Sequence, residues 1–196
     1  MVHESAVTIV GGGAAGLTAA LFLARGGVSV VIVDQDRSIL KRAELNNLPG
    51  SKALEGQELL GQLRLQLADH DVHTIGAKVE DIASSGDGFT ISVAGGDSIA
   101  SKYVVITTGQ GTLTLPSLAL DTTDARQPFV KVNVVTDKWG ATSVPGVWAA
   151  GVVAGWPSQA VVCAGSGANV AIEIVSKIND SFWVDHDDSK APAESA

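Results

Sequence analysis

The sequence predicts an α/β domain: a doubly wound parallel sheet interrupted by a small antiparallel β-meander. Three observations carry that expectation. Apolar, β-branched runs without polar alternation recur at residues 6–10 (AVTIV), 28–33 (VSVVIV), 103–107 (YVVIT) and 147–150 (VWAA), the pattern of parallel strands buried on both faces. The first two flank a helix-forming segment, completing a βαβ unit of about 30 residues. Between residues 73 and 100, shorter strand-like runs are punctuated by Gly86, Gly88, Gly95 and Gly96, which marks a meander or hairpin.

In chain order, the first strand ends in Gly11-Gly12-Gly13, the helix 14–25 (AAGLTAALFLAR) is stopped by Gly26-Gly27, and the second strand ends at Asp34. Residues 45–50 (LNNLPG) form a loop. Leu59, Leu60, Leu63 and Leu67 recur at helical spacing within 54–68. Strands are expected at 73–82, 89–93 and 98–100, then at 103–107, closed by Thr108-Gly109. Residues 112–128 hold Pro116 and Pro128 with no clear period, so they read as a connecting segment. Residues 129–135 alternate like a strand, 137–145 are turn-like, and the strand 147–150 ends at Gly151. A long helix with small residues on one face follows at 159–178. The expected organisation is one domain over 1–184 with a polar, disordered tail at 185–196.

With 45% hydrophobic residues over 196, the chain can bury a full core, and its net charge of −8 argues against a nucleic-acid binder. A single cysteine, Cys163, can form neither an internal disulfide nor a CxxC pair nor a structural zinc site. His70 and His73, beside Asp69 and Asp71, have a metal-compatible spacing but no third or fourth ligand nearby, so they read as a solvated helix end. No run of 18 apolar residues occurs, and the first 16 residues lack a signal peptide's basic start and cleavage site. The expectation is a soluble, cytoplasmic protein.

The chemistry is carried by Gly11-x-Gly13-x-x-Gly16 between strand and helix, with Asp34 at the end of the next strand. Gly11 makes the tight turn, Gly13 lets backbone approach a pyrophosphate, and Gly16 permits close helix–strand packing. The helix N-terminus offers free N–H groups and the positive end of its dipole to phosphates. Asp34 accepts hydrogen bonds from an adenosine ribose and disfavours a 2′-phosphate. This is a Rossmann-like fingerprint that serves FAD and NAD(P) alike.

Further motifs narrow the choice. Over most of residues 5–180 the chain resembles the FAD domain of the thioredoxin reductase-like (pyridine nucleotide-disulfide oxidoreductase) flavoproteins. That family's VxIVGGGxAGLxAAxxLAR opening matches residues 7–25 almost throughout. Its Asn-x-Pro-Gly loop is similar to Asn47-Leu48-Pro49-Gly50, its G-x-E-L helix start to Gly56-Gln57-Glu58-Leu59, and its ATG strand end to Thr107-Thr108-Gly109. Its TSVPGVFAAGD stretch, with an Asp five residues ahead, is similar to 137–151, and its closing helix to 158–171.

The resemblance implies FAD as cofactor and assigns its site. Gly11, Gly12, Gly13, Ala14, Ala15 and Gly16 form the first turn, Asp34 and Gln35 lie at the next strand end, and Asn47 is in the loop beside the flavin. Val79 comes from the meander, and Thr108 and Gly109 from the strand end. Gly151, Val152, Ser158, Gln159 and Ala160 stand at the closing helix. No residue is required as a general acid or base, and no metal is expected.

The chain departs from the family in three ways. Only a short linker separates Gly109 from Phe129, where the family inserts an NAD(P)H domain with its CxxC. Val152 stands for the family's acidic residue, and Ser158 for its Arg. The function implied is a small FAD-dependent oxidoreductase that moves electrons through the flavin without its own dithiol. NAD(P)H or a protein donor supplies the electrons, and a homodimer is implied. The alternative is a non-catalytic regulatory or sensor module binding FAD, NAD or ADP. Trp156, in a loop, is a candidate cover for the flavin ring, whereas Trp148 reads equally as a core residue. Cys163 reads as a buried, inert thiol, and Lys41-Arg42 as a solvated loop rather than a phosphate contact.

Overall fold

The computed structural model describes residues 2–111 and 115–186. Four connected strands form the parallel core of the main sheet: β1 (Val2–Val10), β2 (Val30–Val33), β5 (Val72–Ile75) and β8 (Ser98–Ile106). They lie in the order β5-β2-β1-β8, and β11 (Val147–Ala149) adds in parallel to the second half of β8. The first half of β8 pairs antiparallel with β7 (Gly88–Val93), which pairs with β6 (Val79–Ser85). This is the expected mixed sheet with its meander. Two small pairs, β3 (Glu44–Leu45) with β4 (Leu54–Glu55) and β9 (Thr122–Asp124) with β10 (Val132–Val134), stand outside it.

Helices α1 (Ala14–Arg25), α2 (Gly56–Leu67) and α3 (Ala160–Ile178) pack on one face of the sheet, over Val7, Ile9, Val30, Ile32, Val105 and Trp148. Val10, Val31, Val33, Val104, Ile106 and Ala149 face the other way, under the meander and Val134. Both faces are therefore covered, which is why the strands show no polar alternation. Ile9, Leu23, Ile32, Leu60 and Ile174 are fully buried, each stabilising the fold by about 1.5–3 kcal/mol relative to exposure. Helix α3 is long and apolar enough to span a membrane by composition, but its Val170, Ala171, Ile174 and Val175 are buried in this core.

Several local expectations are corrected. The runs 98–100 and 103–107 form one nine-residue strand, β8. The polar interruption at Ser101 is buried, and its hydroxyl pairs with Ser5 and with the Tyr103 carbonyl oxygen at 2.9 Å. The run 73–82 splits at Gly76 into β5 and β6, which lie at opposite edges of the sheet. His73 thus sits on edge strand β5 rather than at a helix end, 3.4 Å from the Asp71 carboxylate. Among the described residues, no group of three or more His, Cys, Asp or Glu is placed to hold a metal.

Within the connecting segment β9 pairs with β10, through Asn133 opposite Thr123. Every side chain of β9 is exposed, so no burial pattern announced it. Residues 112–114 of that segment lie outside the described residues, as do 187–196 of the expected tail. The described part of the tail folds back: the Asp185 carboxylate accepts a 2.6 Å hydrogen bond from Arg25 Nε.

Candidate functional site

The C-terminal ends of β1, β2, β8 and β11 and the N-termini of α1 and α3 meet along one edge of the sheet, where open α/β sheets bind their ligands. Gly11 adopts φ +112°, and a Cβ there would sit 2.5 Å from the Thr107 carbonyl oxygen. Gly16 faces the same neighbour, its missing Cβ only 2.7 Å from Thr107 Oγ1. That hydroxyl reaches the Val10 and Gly11 carbonyl oxygens at 3.0 and 2.8 Å, tying β8 to the turn. A side chain at Gly12 would collide with Asp34, whose Cγ lies 2.7 Å from the Cβ position. Gly13, by contrast, opens onto free space, with only Ser38 Oγ nearby at 3.5 Å. Neither α1 nor α3 carries an acidic residue in its first turn. The positive ends of both helix dipoles are thus left for an anionic ligand.

Two adjoining cavities make up the cleft. One, of about 820 Å³, is bounded by Gly11, Gly12, Asp34, Gln35, Val79 and Thr108. The other, of about 370 Å³, is bounded by Ala14, Ala15, Asn47, Gly151, Val152, Ser158, Gln159, Ala160 and Cys163. Gly13, Thr107 and Gly109 border both. The structure thus brings every candidate cofactor residue to the cleft except Gly16, which packs beneath it.

Charge is unevenly spread along the cleft. The Asp34 carboxylate is mostly buried and lies 3.6 Å from Arg64 of α2. Asp36 bonds to the Lys41 ammonium and, at 2.9 Å, to Arg64; the Lys41 hydrogen bond foremost holds its carboxyl below the usual range. Lys41 is therefore engaged rather than simply solvated, although it and Arg42 border the larger cavity. Among the described residues, Glu44 is the one charged side chain that borders the smaller cavity. Val152 is 8% exposed and sits on a one-turn 3₁₀ helix, Gly151–Ala154. Gly151 takes φ +73°, and its N–H donates to Ser166 Oγ at 2.9 Å. Cys163 is buried, its Sγ donates to the Pro157 carbonyl oxygen at 3.4 Å, and burial pushes the thiol pKa up. An inert thiol is the state this environment favours.

The tryptophans do not cover this cavity. Trp148 is buried beneath the helices, edge-on to Tyr103 at 5.5 Å, which realises its core alternative. The chain turns at Gly155, φ +83°, and leaves the neighbouring Trp156 exposed and off both cavity walls. A wall that sequence reasoning missed runs from Ser38 to Leu45. Its Ile39–Arg42 turn is held by the start of α2, where a Cβ on Gly56 would meet the Leu40 carbonyl carbon at 2.8 Å. The isolated apolar pair Ile39-Leu40 was its one sequence signal.

Can the residues present hold FAD? They fit its anionic and ribose portions: open space at Gly13, two helix N-termini with no acidic residue in the first turn, and Asp34 beside the turn. The site lacks a carboxylate at 152. Comparison with known proteins agrees with this fit. Residues 4–49 match the FAD binding domain family, and residues 54–167 match the pyridine nucleotide-disulphide oxidoreductase family. The chain is 28% identical over 129 residues to a ferredoxin–NADP reductase of Lactiplantibacillus plantarum, covering 62% of this chain and 39% of that protein. It is 31% identical over 108 residues to a thioredoxin reductase of Streptomyces coelicolor, covering 53% and 34%. The chain therefore spans little more than a third of these relatives' length. Its fold superimposes on a thioredoxin reductase from Gloeobacter violaceus with a TM-score of 0.78 at 20% identity, over 95% of this chain and 99% of that one. FAD is the cofactor these matches indicate. Because the second family match alone covers more than half of the sequence, the chain belongs to the pyridine nucleotide-disulphide oxidoreductase family.

Proposed function

We propose that this chain is the FAD-binding part of a flavin-dependent oxidoreductase. The observation that carries this reading is the two-ended cleft. A nicotinamide or adenine nucleotide sensor needs only the turn at Gly11–Gly16 and Asp34, yet a second built wall continues from Asn47 to Gly151 and the start of α3. In this reading the α1 amides hold the pyrophosphate, Asp34 accepts from the ribose hydroxyls, and the amides at Gln159 and Ala160 face the flavin half. Ile39, Leu45 and Val152 keep water from that half. Bound FAD supplies a ring that accepts a hydride or single electrons and passes them on. No residue of the cleft is asked to act as acid or base.

Relatives named as reductases of ferredoxin, NADP and thioredoxin support electron transfer with a nicotinamide or a small redox protein. They do not favour the non-catalytic alternative. The single cysteine leaves this chain without a dithiol of its own. The reading includes a cytoplasmic location and a homodimer; exposed Phe129 and Phe182, beyond the core, support the homodimer alone. The test is anaerobic titration of the FAD-loaded chain with NADH and then NADPH, followed in the visible flavin band. Bleaching identifies a nicotinamide-driven enzyme. Bleaching only by dithionite assigns the donor role to a protein partner. A flavin that neither nicotinamide nor dithionite reduces contradicts the proposal.

A further inference from the structure

Val152 in the wall at the flavin end, and the stretch Val153–Trp156 that continues from it off the cavity, are held from outside by two side-chain amides. Asn133, in the middle of β10, is 5% exposed. Its Nδ2 donates to the Val152 carbonyl oxygen at 2.8 Å and to that of Val153 at 3.4 Å. Gln127 Nε2 donates to the Gly155 and Trp156 carbonyl oxygens, both at 3.0 Å. Four carbonyls of one short stretch are thus gripped by two residues from a segment of the chain more than 18 positions earlier.

Neither amide is needed for the strand pairing. Pairing of β9 with β10 runs through backbone groups, and an apolar side chain at 133 would avoid the cost of burying an amide. Gln127 Oε1 is buried without a hydrogen-bond partner, so the side chain is held there by its donor end alone. The gripped stretch has two residues in the left-handed region, Gly151 at φ +73° and Gly155 at φ +83°. Glycine enters that region freely, so the two turns do not by themselves fix how the peptides between them are oriented. Because a peptide is planar, holding the Val152, Val153 and Gly155 carbonyls fixes the N–H groups of Val153, Ala154 and Trp156, whereas the Trp156 carbonyl precedes Pro157, which has none. At residue 152 the side chain brings no charge to the cofactor, which leaves backbone to make the contact.

We propose that Asn133 and Gln127 are positioning residues for the flavin: they set the orientation of the Gly151–Trp156 backbone against the ring end of the cleft. This rests on the FAD reading above. The experiment uses the full chain loaded with FAD. Gln127→Met keeps length and removes both donors, whereas Gln127→Lys keeps a donor within reach of the same carbonyls; Asn133→Leu is the buried counterpart. FAD dissociation is read by flavin fluorescence, the ring's environment by visible circular dichroism, and folding by the melting temperature of the FAD-free chain.

Gln127→Met is expected to weaken FAD by about three- to tenfold and to alter the visible dichroism of the flavin that remains bound. Gln127→Lys is expected to restore both, while the FAD-free melting temperatures stay close together. Asn133→Leu is expected to change the dichroism in the same sense. Two results overturn the proposal alone: unchanged affinity and dichroism in Gln127→Met, or a Gln127→Lys that falls as far as the Met variant. A wild-type chain that takes up no FAD overturns the proposal together with the reading beneath it. Because the Gln127 pair is decisive, failure of Asn133→Leu to fold leaves the test intact.

Discussion

Replacing Gly167 with alanine pushes α3 away from α1 where the two helices form the cleft. A Cβ at Gly167 would lie 2.9 Å from the Ala15 carbonyl carbon and 3.1 Å from its Cα, with the carbonyl oxygen nearer still. Carbon–carbon contacts relax at about 3.5–4.0 Å, so the helices must part by at least about 0.6 Å. Both partners are backbone, and no side chain can swing aside. Overpacking of this kind costs about 1–3 kcal/mol, against a gain of about 1 kcal/mol from replacing a mid-helix glycine. Gly165, two residues earlier on the exposed side of α3, has nothing within 4 Å of its Cβ position. The same substitution there collects the gain without the clash. Gly165→Ala is therefore expected to raise the melting temperature by about 2–4 °C, and Gly167→Ala, at a net cost of about 0–2 kcal/mol, to lower it by up to about 8 °C. Ala15 also borders the flavin cavity, so Gly167→Ala is expected to weaken FAD as well. Thermal unfolding of the FAD-free chain and an FAD titration read both effects. If Gly167→Ala proves as stable as Gly165→Ala, the close approach of α1 and α3 is refuted.

Gly12→Ala is expected to leave the fold nearly as stable, because the clash is with the movable Asp34 carboxylate. Displacing that acceptor should weaken FAD by about ten- to a hundredfold; an unchanged dissociation constant removes Asp34 from the ribose site. Val152→Asp puts a carboxylate into a nearly buried wall. The FAD-free chain should be less stable and FAD should bind more tightly, while weaker binding would mean that this wall does not meet the cofactor as the family's does. Burial raises the Cys163 thiol pKa, so the unfolded chain loses that proton first. The thiol's contribution is present below about pH 8.5 and is lost as pH rises toward the folded value. Urea unfolding of Cys163→Ser should show a shallower alkaline loss of stability than the parent; equal slopes contradict this.

What was legible in the sequence follows from how local each constraint is. Gly11, Gly13 and Gly16 answer to demands within one turn, and Asp34 to the end of the adjacent strand, so spacing alone located them. The interruption at Ser101 misled because its hydroxyl is satisfied by Ser5, 96 residues away. Strand β9 carried no signal since its side chains all face solvent. The Ser38–Leu45 wall depends on a backbone contact with Gly56, and the grips of Gln127 and Asn133 join residues 19 to 29 positions apart. Neither Gln127, in an aperiodic stretch, nor Asn133, in an alternating one, announces partners at that range. Trp156 was misplaced for a related reason, because the left-handed turn at Gly155 decides where the indole goes.

The most direct measurement is the absorption spectrum of the purified full chain after incubation with excess FAD and removal of the unbound cofactor. Retained flavin bands at about 370 and 450 nm, in a one-to-one ratio with the chain and diminished in Gly12→Ala, are the expected result. A folded chain that stays colourless contradicts FAD binding at this cleft.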